Sequence, residues 1–203
     1  HVGHFLPAYG SAVHPKVWQQ AHWEQRAAHE YDYVLTPIWQ DGLGIDRARN
    51  TAIESAIEAD LDYLFMQDAD TWAEDAVIPA LIEALQSREA TLAGAAYRLR
   101  RKTKDVAFQP ATAETAEPGI HIVDRVGTGL ICIDMRRLKD QTTEYPGPWC
   151  DRTYADPRQT TLALGGDYWL CDMVRHHGGK VVVRTDVRTG HCFRDIESLN
   201  FGD

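Results

Sequence analysis

Leu64-Phe65-Met66-Gln67-Asp68-Ala69-Asp70 is the stretch on which the fold turns. Tyr63 to Met66 is a short apolar, aromatic-rich run with the composition of a buried strand. Asp68 and Asp70 follow at its carboxyl end, and in an open α/β sheet ligands bind in the crevice beyond those ends. Alternate residues of an extended segment point the same way, so both carboxylates can face that crevice. Two hard oxygen ligands side by side suit a divalent cation that also holds substrate phosphates. The competing reading is local: Asp68 caps the helix that follows and Asp70 sits in its first turn.

Upstream, the pattern is strand, helix, strand, helix. Val2 to Leu6 reads as a first strand running into the turn Pro7-Ala8-Tyr9-Gly10, where Tyr9 is suited to stack on a nucleotide base. Pro15 to Ala28 is helical, with Pro15 acceptable in its first turn. Tyr33 to Ile38 is a second strand. Ile45, Ala48, Ala52, Ile53, Ala56 and Ile57 then fall at helical spacing. Arg47 and Arg49 crowd the first turn of that helix, where cations oppose the helix dipole; an anionic phosphate ligand would justify them.

Downstream, a helix is expected from beyond Trp72 to about Gln86, and a strand from Thr91 to Tyr97. Arg98 to Lys104 places five basic residues in seven, including Arg100 and Arg101, and reads as a solvated loop or a contact for an anionic partner. Short strands follow on either side of a loose Ala/Thr/Glu/Pro loop. Gly127-Thr128-Gly129 leads into the apolar strand Leu130 to Ile133, and Met135 to Leu138 is a helical turn. Gln141 to Leu164 carries Pro146, Pro148 and Pro157 and no sustained period, which suggests a lid whose Tyr145, Trp149 and Tyr154 could stack on a sugar. Gly165-Gly166-Asp167 opens a helix ended by Gly178-Gly179, and a last strand carries His191.

Strands alternating with helices, then a strand-rich middle, imply an α/β domain with a mostly parallel central sheet flanked by helices and a small antiparallel insertion. The 203 residues fit one domain, 1–203, with a sizeable core. A formal charge of −9 argues against broad nucleic-acid or anionic-membrane binding. The four cysteines are widely spaced without a C-x-x-C pair and read as free thiols, pointing to a cytoplasmic compartment. No run reaches the length of a membrane span. The chain opens on His1 rather than Met, which leaves room for a preceding leader or partner domain.

From Phe5 to about Phe193 the chain resembles the GT-A glycosyltransferases, in particular family 2-like members, which move a sugar from a nucleotide-sugar donor. The resemblance rests on four ordered stretches: Arg49-Asn50, Tyr63 to Asp70, Gly127 to Leu130, and Gly166 to Cys171 followed by Gly178-Gly179 and His191. It implies a single GT-A-like, Rossmann-like domain and a UDP- or GDP-linked donor. Asp70 and His191 would bind Mn²⁺ or Mg²⁺, with Asp68 on the donor ribose or sugar or reaching the metal through water. Pro7, Ala8, Tyr9 and Ala69 would line the donor site and Arg49 would face the diphosphate. Asp167 matches the base of inverting members, although Gly166 stands where they carry Glu; a Gly-Gly-acid sequence also resembles retaining members. The position of Asp167 at a helix start is expected to hold its pKa low. The acceptor, a glycan or modified nucleic acid, would be bound by Trp149, Gly166, Arg100 and Arg101.

Three other readings compete. A nucleotidyltransferase would need a Gly-rich basic loop after its first strand, and Pro7-Ala8-Tyr9-Gly10-Ser11 is a poor one. A D-x-D phosphatase would place its aspartates on the first strand. A non-catalytic nucleotide-sugar or glycan-binding domain would be expected to lack Asp70, Asp167 or His191, and all three are present.

Overall fold

The computed structural model describes residues 1–8, 13–41, 44–98, 106–110, 114–143, 145, 147–154, 162–192 and 198–201. In chain order the first half is β1 (Val2–Ala8), α1 (Pro15–Glu30), β2 (Leu35–Asp41), α2 (Ile45–Glu58), β3 (Tyr63–Gln67), β4 (Thr71–Ala73), α3 (Ile78–Arg88) and β5 (Leu92–Ala95). Then come β6 (Phe108–Gln109), β7 (Ile120–Val123), β8 (Arg125–Val126), β9 (Leu130–Asp134) and α4 (Met135–Gln141). The chain ends with β10 (Thr153–Tyr154), β11 (Leu162–Leu164), α5 (Gly166–His176), β12 (Val181–Arg184), β13 (Thr189–Cys192) and β14 (Ser198–Phe201).

Seven strands form the central sheet in the order β2-β1-β3-β9-β5-β12-β7. β1 pairs parallel to β2 and β3, and β12 parallel to β5; β9 runs antiparallel to both β3 and β5, and β7 antiparallel to β12. The sheet is therefore mostly parallel, as expected, but its antiparallel part is not confined to an insertion. β9 lies in the middle and joins β3 to β5.

Period-two alternation divides the core into two layers. Leu64, Met66, Ile131, Ile133, Val181 and Val183 share one cluster with Ala52 and Ile53 of α2 and Leu170 and Val174 of α5. Phe65, Leu130, Cys132 and Val182 share the other with Ile78, Leu81 and Leu85 of α3. Fully burying each such side chain contributes about 1.5–3 kcal/mol. Helices on both faces leave the carboxyl ends of β1, β3 and β5 as the open rim. Cys132, Cys150 and Cys171 are buried free thiols, and burial pushes Cys150 and Cys171 up to about 12.

Two expectations about local structure change. The segment after Asp70 is not immediately helical: Thr71–Ala73 is a strand, and α3 begins only at Ile78. The helical turn at Met135 extends through Gln141. Neither difference has a clear periodic signature, because a three-residue strand shows too little alternation to be read. Among the described residues no helix is long and apolar enough to cross a membrane.

Candidate active site

The Asp68-Ala69-Asp70 turn is fastened by its backbone. The Asp68 N–H donates to the Gly129 carbonyl at 2.9 Å, Thr71 N–H to the Asp68 carbonyl at 3.3 Å, and His14 N–H to the Ala69 carbonyl at 2.9 Å. Below it, the Gln67 amide donates to the Thr71 carbonyl at 3.0 Å and to Gln20 Oε1 at 2.9 Å. The local capping alternative is ruled out for this turn, since Val77 occupies the N-cap of α3 and no side chain of that residue caps it. Glu24 from α1 does so instead, accepting from the Val77 and Ile78 N–H groups at 2.6 and 3.2 Å.

The two aspartates have different neighbours. Arg49, buried near the start of α2, donates from Nη2 to Asp68 Oδ1 at 2.8 Å. Burial, the largest single influence, lowers the pKa of the guanidinium, but the charge and hydrogen bond of Asp68 together with Cys150 and Asp167 outweigh it and the net shift is upward. Asp68 therefore balances the arginine that opposed the helix dipole. Asp70 faces His191: Oδ1 and Nε2 are 3.6 Å apart, and Thr71 Oγ1 donates to the same Oδ1 at 3.3 Å.

His191 is far from Asp70 in sequence, and β4 brings it there. β4 and β13 pair antiparallel with His191 opposite Thr71 and Gly190 opposite Trp72. A Cβ at 190 would overlap the Trp72 ring. His191 Nδ1 lies 2.9 Å from the Arg98 carbonyl, an acceptor only, so this nitrogen carries the hydrogen and Nε2 of a neutral ring offers its lone pair toward Asp70. Tyr97 packs edge-on against His191 with ring centroids 5.3 Å apart and accepts from the Gly129 N–H at 3.0 Å. A Cβ at 129 would lie 2.7 Å from the Tyr97 ring, which explains a glycine beside that tyrosine.

Two atoms each held about 2.1 Å from one divalent ion lie at most about 4.2 Å apart, so the Asp70–His191 pair fits two ligands of such an ion. Among the described residues no group of three or more His, Cys, Asp or Glu side chains surrounds a common point, so water and substrate oxygens would have to complete the coordination.

Asp167 lies in the first turn of α5, after the N-cap Gly165, and accepts from the Tyr168 N–H at 3.0 Å. The expectation of a depressed pKa is corrected. Burial pushes its carboxyl above the usual range; Arg49 and the Tyr168 N–H pull it back, Asp68 adds to the rise, and the net direction is up. Desolvation prevails because the carboxylate sits inside the rim rather than on an exposed helix end. Arg49 feels the charges of both Asp68 and Asp167 and so links the two halves of the site electrostatically.

Trp149 is 5% exposed and packs in the core, its ring 5.4 Å from that of Tyr145. As placed, it is a packing residue rather than the stacking wall expected of it. The neighbouring backbone is fixed as well: Asn50 and Cys150 exchange two hydrogen bonds, each 2.8 Å. Gly166 is buried against Asp46. Pro7 and Ala8 end β1, paired with Gln40 and Asp41, while Tyr9, Arg100 and Arg101 lie outside the described residues. The sequence reading missed Asp46, Tyr97, Gln20 and Glu24, none of which belongs to a recognisable motif. An open cleft of about 910 Å³ lies elsewhere, between α1 and α3 at the amino ends of β1 and β3.

No protein-family description matches the sequence, and no curated protein matches it. Solved structures do. The crystal structure of A197 from STIV superposes with a TM-score of 0.63 at 15% identity, covering 100% of this chain and 94% of that one. The crystal structure of GalNAc-T7 with UDP, GalNAc and Mn²⁺ superposes with a TM-score of 0.57 at 11% identity; the alignment covers 95% of this chain but 44% of that one. At these identities the likeness concerns the fold alone: an α/β domain with a mostly parallel central sheet flanked by helices, similar to those of the two solved proteins.

Proposed function

We propose that this chain is a glycosyltransferase that transfers a sugar from a UDP- or GDP-linked donor to an acceptor hydroxyl with the help of Mn²⁺ or Mg²⁺. The observation that carries the proposal is the β4–β13 pairing, which sets His191 Nε2 3.6 Å from Asp70 Oδ1 at the carboxyl end of β3. A glycosyltransferase of similar fold is solved with UDP, GalNAc and Mn²⁺, which favours the same ligand class here. Asp70 and His191 would hold the cation, which when bound neutralises charge on the departing diphosphate. Asp68, oriented by Arg49, would meet the donor, with Pro7, Ala8, Tyr9 and Ala69 along the base and ribose. The acceptor, a glycan or modified nucleic acid, would approach past Gly166, with Arg100 and Arg101 as its charged contacts.

Asp167 is the proposed base. The acceptor hydroxyl gives its proton to the Asp167 carboxylate as its oxygen bonds to the anomeric carbon. The bond from that carbon to the diphosphate oxygen breaks, and the nucleoside diphosphate leaves with the electron pair. A carboxyl raised by burial is a better proton acceptor once ionised than an ordinary one.

A thermal-shift panel tests the donor site. At about 100 times Kd, a nucleotide should stabilise the fold by about 2.7 kcal/mol, or about 5–10 °C for a chain of this size. The shift should depend on Mn²⁺, vanish with EDTA and be lost in Asp70→Asn and His191→Ala. An equal shift with EDTA removes the metal assignment. Product with retained anomeric configuration removes Asp167 as base.

A further inference from the structure

We infer that Asp46 is a positioning residue of the candidate site, its carboxylate wedged between the first turns of α2 and α5 so that one side chain sets Asp167 relative to Arg49. The inference rests on the glycosyltransferase reading for its catalytic consequence, though not for its geometry.

Gly166 is buried, and a Cβ there would overlap Asp46 Oδ1, with the Asp151 carbonyl 3.5 Å away. The space that any other residue would use at 166 is thus taken by a carboxylate from another helix. The other oxygen of Asp46 is ion-paired with Arg152. Asp46 therefore touches the chain at two points far apart in sequence from itself, Arg152 and Gly166. Asn50, one turn further along α2, holds the same segment at Cys150. Arg49 stands three residues from Asp46 in the same helix start.

Asp46 Oδ1 is buried and has no hydrogen-bond partner among the described residues. Buried polar atoms are nearly always partnered, and leaving one without a donor weakens the fold. Retaining an unsatisfied oxygen at the start of the helix that carries Asp167 is the kind of exception that functional sites make.

Thermal melts of Asp46→Ala, Gly166→Ala and the double variant test the wedge. Gly166→Ala should lower Tm by about 3–10 °C through overpacking, and adding Asp46→Ala should recover most of that loss. Additive effects overturn the inference. Asp46→Asn, isosteric with the native residue, then separates positioning from packing. Its Tm should stay within about 3 °C, while kcat for donor hydrolysis or transfer falls at least tenfold and donor KM changes little. Unchanged kcat, or a loss matched by unfolding, reduces Asp46 to a packing residue. If the native protein with Mn²⁺ turns over no UDP- or GDP-sugar, the glycosyltransferase reading is what fails. The melts, which need no turnover, then decide on Asp46: recovery of the Gly166→Ala loss in the double variant upholds the wedge, and additive losses overturn it.

Discussion

At the scale of single residues, the aspartates of one short motif should answer differently to the same substitution. Asp68 balances a guanidinium whose side chain is 6% exposed, so Asp68→Asn leaves a buried cation without its counter-charge. That should cost about 3 kcal/mol in chemical denaturation. Asp70→Asn removes a carboxylate from the open rim and should cost under about 1 kcal/mol, or even stabilise, while abolishing the Mn²⁺-dependent nucleotide shift. Equal stability losses would mean that Arg49 is solvated in solution and that Asp68 is free to serve the ligand alone.

At the scale of elements, α1 runs a polar relay through the interior. Glu24 accepts from the Gln20 amide at 3.2 Å, Gln20 Oε1 accepts from Gln67 and from the Ala73 N–H, and Gln67 Oε1 lies 3.2 Å from His4 Nε2. Burial raises Glu24 from 4.5 to about 7 and lowers His4 from 6.5 to about 4. The two shifts act with opposite sign. Folding favours protonated Glu24, so its contribution is full below about pH 4.5 and is lost as pH rises to about 7. Folding favours neutral His4, so its contribution is full above about pH 6.5 and is lost as pH falls to about 4. Each is on the order of 3 kcal/mol, and they nearly cancel. Stability of the native protein should therefore vary little between pH 4.5 and 6.5, apart from the surface carboxylates. Glu24→Gln should lose stability on acidification across that range, and His4→Gln on alkalinisation; parallel profiles for all three proteins would refute the cancellation.

This relay also marks where the sequence stops being legible. α2 and the strand ahead of Asp68 could be read because their apolar residues keep the helical and extended periods. The buried residues of α1 are Val17, Gln20, Glu24, Ala27 and Ala28, two of the five polar, whereas Trp18 on the same helix is 51% exposed. A hydrophobicity pattern selects the wrong face there. The Asp68-Asp70 turn, Asp167 and His191 could be singled out as candidates, but Asp46 could not. Its role depends on a space left by a glycine 120 positions away in the numbering of the chain, 166 − 46.

On the scale of the whole molecule, β9 joins what the chain order separates. β3 and β5 belong to the first half, yet each bonds to β9 rather than to the other. We propose that residues 1–203 unfold as one cooperative unit. Calorimetric and van't Hoff enthalpies should agree, and a fragment of residues 1–98 should lack stable tertiary structure by near-ultraviolet circular dichroism. An independently folded fragment would make the first half a domain of its own.

The seat of Trp72 on Gly190 has a consequence for how such a chain can change length. Side chains of a strand alternate in direction, so slipping β13 by one residue along β4 would turn the His191 imidazole to the far side of the sheet. The indole accepts no other residue at 190 and so fixes the pairing in one alignment. Insertions and deletions in the connection before Thr189 can be absorbed as slack ahead of that seat. A single residue gained or lost between Asp70 and Trp72, or gained between Gly190 and His191, cannot, and would separate the carboxylate from the imidazole while leaving the hydrophobic layers of the sheet intact.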